Sequence, residues 1–278
     1  MIGVIGAGTM GAGIATSCLA APGEALSVVS VEPDPVRAEA ALDQVRSSLE
    51  RLGSKRDDLD VDAAMGRFAQ VSSIAETVGC DIVVEAVPER LDLKRTIFAE
   101  LDALHPDGVV LASNTSSLSI GRIADGLARP ERVIGAHFFN PVPVSSLVEI
   151  VVGPATSPAT TATLQKLTET LDKTPIVVTD SPGFASSRLG LVLGLEAIRM
   201  LEQGVASAED IDTAMTLGYR HPMGPLRLTD LVGLDVRLDI ARHLESELGD
   251  RFTPPALLVD MVAAGRLGKK TGQGFYDW

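Results

Sequence analysis

Residues 2–20 read IGVIGAGTMGAGIATSCLA, and residues 26–32 read LSVVSVE. The first five of these residues are a short apolar run ending in glycine. Residues 9–20 favour a helix, closed by Pro22 and Gly23, and residues 26–32 form a second β-rich run closed by Pro33. Between strand and helix lies a G-x-G-x-x-G, with Gly6, Gly8 and Gly11 fixed and Ala7, Thr9 and Met10 between them. By itself the pattern is weak, but here a strand precedes it, a helix follows and a second strand lies beyond. Each glycine then has a role: Gly6 allows the tight turn, Gly8 lets a pyrophosphate approach the backbone, and Gly11 lets the helix pack on the strand. The helix N-terminus offers unpaired N–H groups to phosphates. Glu32 ends the second strand, 21 residues after Gly11. Its carboxylate accepts hydrogen bonds from a ribose and repels a 2′-phosphate, so NAD is favoured as cofactor. Arg37, close by, leaves NADP open.

The same alternation runs on from this unit. A helix is expected over 35–52, with Val36, Ala40, Leu42, Val45, Leu49 and Leu52 as its apolar stripe. The polar stretch 53–62 reads as a loop or a charged helix end. Strands are expected at 81–87, 108–112, 132–137, 147–152 and 175–179, and helices at 89–104, 117–127 and 158–172. Short β-rich runs alternating with helical patterns predict a parallel, doubly wound sheet of Rossmann type. After Ser181-Pro182-Gly183 the pattern changes to helix alone, at 184–203, 207–217, 225–247 and 254–265. The chain therefore divides into a cofactor-binding α/β domain over 1–180 and an all-helical domain over 181–278.

A chain of 278 residues with 45% hydrophobic and 22% charged residues has ordinary globular composition and room for two cores. Its net charge of −13 argues against nucleic acid held by a general electrostatic field, but not against a small anion held by local donors. Cys18 and Cys80 share no metal-ligand or Cys-x-x-Cys spacing and read as core thiols in a reducing compartment. No apolar run reaches the roughly 18–20 residues of a membrane span, and the first residues do not read as a secretory signal, so a cytoplasmic location is expected. No cluster of His, Cys and acid at ligand spacing predicts a metal site.

Of the four histidines, His105, His137, His221 and His243, one stands apart. His137 ends a predicted strand, at the sheet edge where ligands bind in α/β folds. Glu149 interrupts the apolar run Leu147-Val148-Glu149-Ile150-Val151-Val152. A buried carboxylate needs a partner. If the two strands are neighbours, Glu149 reaches His137, orients the ring and supports its cation; otherwise it points to solvent from an edge strand. Residues 113–117, Ser-Asn-Thr-Ser-Ser, follow another strand at the same edge. They read as ligand-contacting groups, with Asn114 toward the cofactor, or as an N-cap cluster for the next helix.

Taken together, these stretches resemble the (S)-3-hydroxyacyl-CoA dehydrogenase family, which includes bacterial 3-hydroxybutyryl-CoA dehydrogenases. The likeness rests on VIGAGTMGAGIA at 4–15, ASNTSSLSI at 112–120, HFFNPVPVSSLVEIV at 137–151, SPGF at 181–184, EDIDTAMTLG at 209–218, HPMGP at 221–225, LVGLD at 231–235 and LGKKTGQGFY at 267–276. It implies oxidation of a 3-hydroxyacyl-CoA by NAD⁺, or the reverse, in fatty-acid metabolism. It assigns the general base to His137, its orienting partner to Glu149 and the hydroxyl that bonds the substrate oxygen to Ser116. Glu89, Lys94, Asn140 and Lys270 match positions that help hold NAD. Ser48 and Lys55 match CoA-contacting positions between the second and third strands. The helical domain is implied to form a homodimer.

One position departs from the family pattern. Relatives carry Gly-Phe-x-x-Asn-Arg, whose asparagine polarises the substrate oxygen, whereas here the segment is Gly183-Phe184-Ala185-Ser186-Ser187-Arg188. Ser187 offers a shorter donor. It keeps open two alternatives: a substrate on an acyl carrier protein or a free hydroxy acid, and an NAD-binding protein with weak catalysis.

Overall fold

The structure, a computed structural model, describes residues 1–105 and 108–278. The chain forms two compact units, Met1–Ser181 and Pro182–Trp278.

In the first unit, β1 (Ile2–Ile5), β2 (Val28–Val31), β3 (Phe68–Val71), β4 (Ile82–Glu85), β5 (Val110–Ser113), β6 (Val133–Phe138), β7 (Leu147–Val152) and β8 (Thr174–Thr179) make one sheet in the order β3-β2-β1-β4-β5-β6-β7-β8. The order reverses direction at β1, where β2 and β4 flank it in parallel. That is the switch point at which such sheets bind ligands. β1, β2, β4, β5 and β6 are buried along their whole length, which explains why they read as unbroken apolar runs rather than alternating ones. The expected all-parallel sheet is corrected at one seam: β6 and β7 are antiparallel, and β8 follows β7. The connection from β6 to β7 spans only residues 139–146, too short for a parallel crossover.

The helices are α1 (Thr9–Leu19), α2 (Pro35–Gly53), α3 (Val61–Met65), α4 (Leu91–Leu104), α5 (Ile120–Ala124) and α6 (Pro158–Thr170). Asp34 caps α2 by accepting from Val36 and Arg37 N–H, and Pro35 starts it with φ preset. α2 buries Ala41, Val45 and Leu49, a narrow i, i+4 seam; Val36 and Leu42, expected on the stripe, are exposed. The loop or helix end expected at 53–62 leads into α3, and β3 was not foreseen at all. The helix expected over 117–127 is reduced to α5, capped by Ser119 rather than by the serines before it.

In the second unit, α7 (Ser186–Glu202), α8 (Ala208–Thr213), α9 (Pro225–Val232), α10 (Leu234–Leu248) and α11 (Ala256–Ala263) surround Leu191, Leu195, Ile198, Leu226, Leu238 and Leu244. The single helix expected over 225–247 is two, broken at Gly233 with φ 105°. The helix expected over 207–217 ends in a π-turn at Ala214–Gly218. The C-terminal tail is tied to the bundle through Asp230, which accepts from Phe275 N, Tyr276 N and Trp278 Nε1 at 2.9 Å each. No helix among the described residues is long and apolar enough to cross a membrane.

Candidate active site

The glycine turn has the geometry that its residues predict. Gly6 has φ 91°, and Gly11 packs so closely that a Cβ there would lie 1.8 Å from the carbonyl oxygen of Gly6. Gly8 is the opposite case: a Cβ on it would meet nothing within 4 Å. It is the N-cap of α1 and no side chain caps the helix, so the first N–H groups point into open space. That space is a cavity of about 690 Å³ bordered by Gly6, Gly8, Thr9, Met10 and Glu32. Its apolar walls come from Ala86, Val87, Leu93 and Ile97, and Ser72, Ser73 and Ile74 close another side. These last three follow β3 and were missed with it.

Glu32 is buried and accepts hydrogen bonds from Ala7 N at 3.4 Å and Asp34 N at 3.2 Å. Arg37, largely exposed, pairs with it at 3.4 Å. Its charge is therefore directed at Glu32, in keeping with the choice of NAD. The cavity fits a dinucleotide: bare backbone and a helix N-terminus for a pyrophosphate, and a carboxylate for a ribose.

Beneath the cavity runs a charged network. Glu85, at the end of β4, is fully buried and binds Lys94 Nζ at 2.7 and 2.9 Å. It also accepts from Val87 N at 2.7 Å and Ser113 Oγ at 2.6 Å. Lys94 is fully buried too, and its second carboxylate is Glu89 at 3.3 Å. The ammonium of Lys94 is thus enclosed between Glu85 and Glu89. Glu89 in turn accepts from Thr115 Oγ1 at 2.6 Å, Ser116 N at 2.9 Å and Ser117 N at 3.2 Å. Burial would raise the Glu89 carboxyl, but Lys94 and these hydrogen bonds outweigh it and hold the group below the usual carboxylate range. Glu85 escaped notice in the sequence, although it interrupts Ile82-Val83-Val84 as Glu149 interrupts its own strand.

The 113–117 segment is thus fastened at several points to one edge of the sheet. Asn114 Oδ1 accepts from Phe138 N at 2.9 Å, joining the end of β5 to the end of β6. Ser116 Oγ lies 3.4 Å from Glu89 Oε1.

His137 and Glu149 are register partners across the antiparallel β6–β7 pair. Their side chains meet, Nδ1 to Oε2, at 2.8 Å. Glu149 is fully buried and His137 nearly so. The Phe139 ring lies 4.5 Å from the imidazole, centroid to centroid. With Nδ1–H donated to the carboxylate, a tautomer assigned from the hydrogen bond, Nε2 is the ring nitrogen that does not face Glu149. Asn140 follows, exposed, at the start of the turn out of β6.

Ser48 is half-buried near the end of α2, and Lys55 is exposed just after it. In the helical unit, Ser187 stands in the first turn of α7, and the ammonium of Lys270 pairs with Asp235. Among the described residues no group of three His, Cys, Asp or Glu side chains is placed to hold a metal.

Comparison with known proteins extends over the whole chain. The NAD binding domain of 3-hydroxyacyl-CoA dehydrogenase matches residues 1–181, and the C-terminal domain of the same family matches residues 183–278. A probable 3-hydroxybutyryl-CoA dehydrogenase of Bacillus subtilis is 45% identical over 99% of this chain and 96% of its own. The mitochondrial hydroxyacyl-coenzyme A dehydrogenase of Mus musculus is 40% identical, over 99% of this chain and 90% of its own. The crystal structure of (S)-3-hydroxybutyryl-CoA dehydrogenase from Ralstonia eutropha superposes with a TM-score of 0.94 at 42% identity, covering 100% of this chain and 98% of that one.

Proposed function

Because the chain belongs to the 3-hydroxyacyl-CoA dehydrogenase family, NAD-dependent enzymes that interconvert 3-hydroxyacyl-CoA and 3-ketoacyl-CoA, we propose that His137 carries the proton of this reaction, on short-chain acyl thioesters. The observation that carries the reading is the buried pair of His137 Nδ1 and Glu149 Oε2 at 2.8 Å. In oxidation, the hydroxyl proton passes to His137 Nε2 while the C3 hydrogen leaves as hydride and the C3–O bond becomes a carbonyl. Bound NAD⁺ supplies the hydride acceptor. Glu149 stabilises the imidazolium that results and fixes the ring so that Nε2 is presented. In reduction, protonated His137 is the acid.

Ser116 donates to the substrate oxygen, and Glu89 holds its backbone in place. Gly6, Gly8 and Gly11, with Ala7, Thr9 and Met10, cradle the pyrophosphate; Glu32 takes the adenosine ribose. Asn114 completes the cofactor set together with Glu89, Lys94, Asn140 and Lys270, the last four as the family resemblance implies. Ser48 and Lys55 contact the CoA portion, where Lys55 gives a local positive charge in an acidic chain. Ser187 stands in for the family asparagine on the substrate oxygen. A homodimer through the helical unit is supported by its exposed apolar side chains, among them Leu189, Val192, Leu193, Leu231 and Val236; sedimentation at two concentrations tests it.

The experiment for the activity mixes the protein with NADH and acetoacetyl-CoA and follows loss of reduced-nicotinamide absorbance. Rapid loss, abolished by His137→Ala and inhibited by free CoA, is expected. No loss while NADH still binds would overturn the reading and favour a carrier-protein or free-acid substrate, or a non-catalytic NAD-binding role.

A further inference from the structure

We propose that Arg237 is a specificity-determining residue whose guanidinium binds a carboxylate borne on the acyl chain of the substrate, one helical turn along α7 from Ser187. The proposal rests on the dehydrogenase reading above and names the substrate class within it.

α10 is amphipathic, and its buried stripe is Leu234, Leu238, Ala241 and Leu244. Arg237 falls on that stripe and is 6% exposed. A guanidinium at such a core position ordinarily has a carboxylate to meet it. Among the described residues none forms an ion pair with Arg237, and its Nε is sealed from solvent with no acceptor. The acid nearest in sequence, Asp235, is taken by Lys270. Burial alone pushes the guanidinium down to about 10, with no opposing charge to hold it up. A methionine or leucine would fill this position at lower cost. A cation kept there without a partner among the described residues is fitted to an anion that arrives from outside.

Its neighbour on α7 is Gly190. A Cβ built on this glycine would lie 3.5 Å from Nη1 and 3.9 Å from Nη2 of Arg237. Both are ordinary contact distances, so the guanidinium packs beside α7 at the level of Gly190. Gly190 is three residues beyond Ser187, so the two share a helix face. The axial step between them is roughly 4.5 Å, about the span of three carbon–carbon bonds. With the C3 oxygen of an acyl chain at Ser187, a carboxylate at C6 reaches the guanidinium. The planar fork of arginine binds a carboxylate with two parallel hydrogen bonds, a selectivity that the apolar residues around it cannot provide.

The test is a matched pair of thioesters, 3-oxoadipyl-CoA and 3-oxohexanoyl-CoA, which have the same chain length and differ in the terminal carboxylate. Both are reduced with NADH by the full-length wild type, Arg237→Met and Arg237→Lys. The wild type is expected to favour the carboxylate substrate in kcat/KM by on the order of 10- to 100-fold, mostly through KM. Arg237→Met is expected to bring the ratio close to one, and Arg237→Lys to leave an intermediate preference. Equal kcat/KM for the two substrates in the wild type overturns the proposal without any variant, so it does not depend on whether the variants fold. A ratio retained in Arg237→Met overturns it as well. So does an unchanged ratio with a weakened dimer, which would give the guanidinium to a second copy of the chain. No turnover of either thioester while acetoacetyl-CoA is still reduced would overturn this inference alone; loss of all three would overturn the dehydrogenase reading with it.

Discussion

Two carboxylates that interrupt apolar strands do different work. Glu149 meets an imidazole and Glu85 meets an ammonium, and the partner decides the consequence of removing each. Glu149→Gln leaves His137 without its counter-charge, so kcat should fall by on the order of 10²–10⁴, measured at saturating substrate with the fold checked by circular dichroism. Glu85→Gln should instead act on stability, because it strips Lys94 of its closest carboxylate in a fully buried setting; a loss of about 3–5 kcal/mol is expected, read from urea denaturation. At position 187 the direction reverses. Ser187→Asn restores the longer amide donor of the family and is expected to raise kcat/KM by on the order of 10- to 100-fold. A decrease would mean that serine is matched to this protein's own substrate. The oddity of Glu149 is legible in the sequence, and the family resemblance pairs it with His137. The residues alone leave that pairing open, because 137 and 149 meet only through the register of an antiparallel pair. Glu85 carried the same signal.

Among elements, the strand–turn–helix at the N-terminus is the most strongly specified, and its glycines separate folding from binding. Gly11→Ala places a methyl at 1.8 Å from the Gly6 carbonyl, so the turn cannot close and the melting temperature should drop sharply. Gly8→Ala meets no protein atom. It should leave the melting temperature unchanged while weakening NAD binding at least tenfold, measured by calorimetry; loss of stability instead would place Gly8 in the packing of the turn. The elements that the sequence concealed have identifiable causes. β3 has only four residues, half-buried at the sheet edge, so it lacks the continuous apolar run of the inner strands. The break between α9 and α10 rests on one backbone angle, and periodicity carries straight through Gly233 because both helices bury residues in the same core. Lys94 looks like a surface lysine on a helix facing a nucleotide; only the sheet beneath it shows that it points inward.

For the molecule as a whole, acid should be destabilising in two stages. His105 is buried against Thr77 at 3.0 Å, and burial, aided by Arg132, holds its ring below the ordinary histidine value. The unfolded chain therefore takes up a proton first. This contribution is complete above about pH 6.5 and is lost as pH falls toward the folded value. Asp102 follows at lower pH. Burial would raise it, but Arg132 at 2.6 Å and Ala128 N at 2.8 Å hold it below the usual carboxylate range, so its contribution is present above that range and lost below it. A melting temperature that falls from pH 7 to pH 5 in the wild type, and falls less in His105→Gln, is the expected outcome. Burial also pushes Cys18 up to about 12 and Cys80 up to about 11, so neither thiol should react with a thiol reagent until the protein unfolds. At this scale the sequence by itself determined the βαβ cofactor unit, the change from α/β to helical pattern near residue 180 and the family. Those follow from local periodicity and from turn glycines whose conformational demands lie within a few residues of one another. Only the tertiary structure decided that β7 turns back against β6 to bring Glu149 onto His137, that Lys94 is enclosed by two carboxylates, and that Arg237 has no partner among the described residues. The first two are meetings of residues on separate elements; the third rests on burial, which alone makes an unpaired charge costly and is a property of the packed chain.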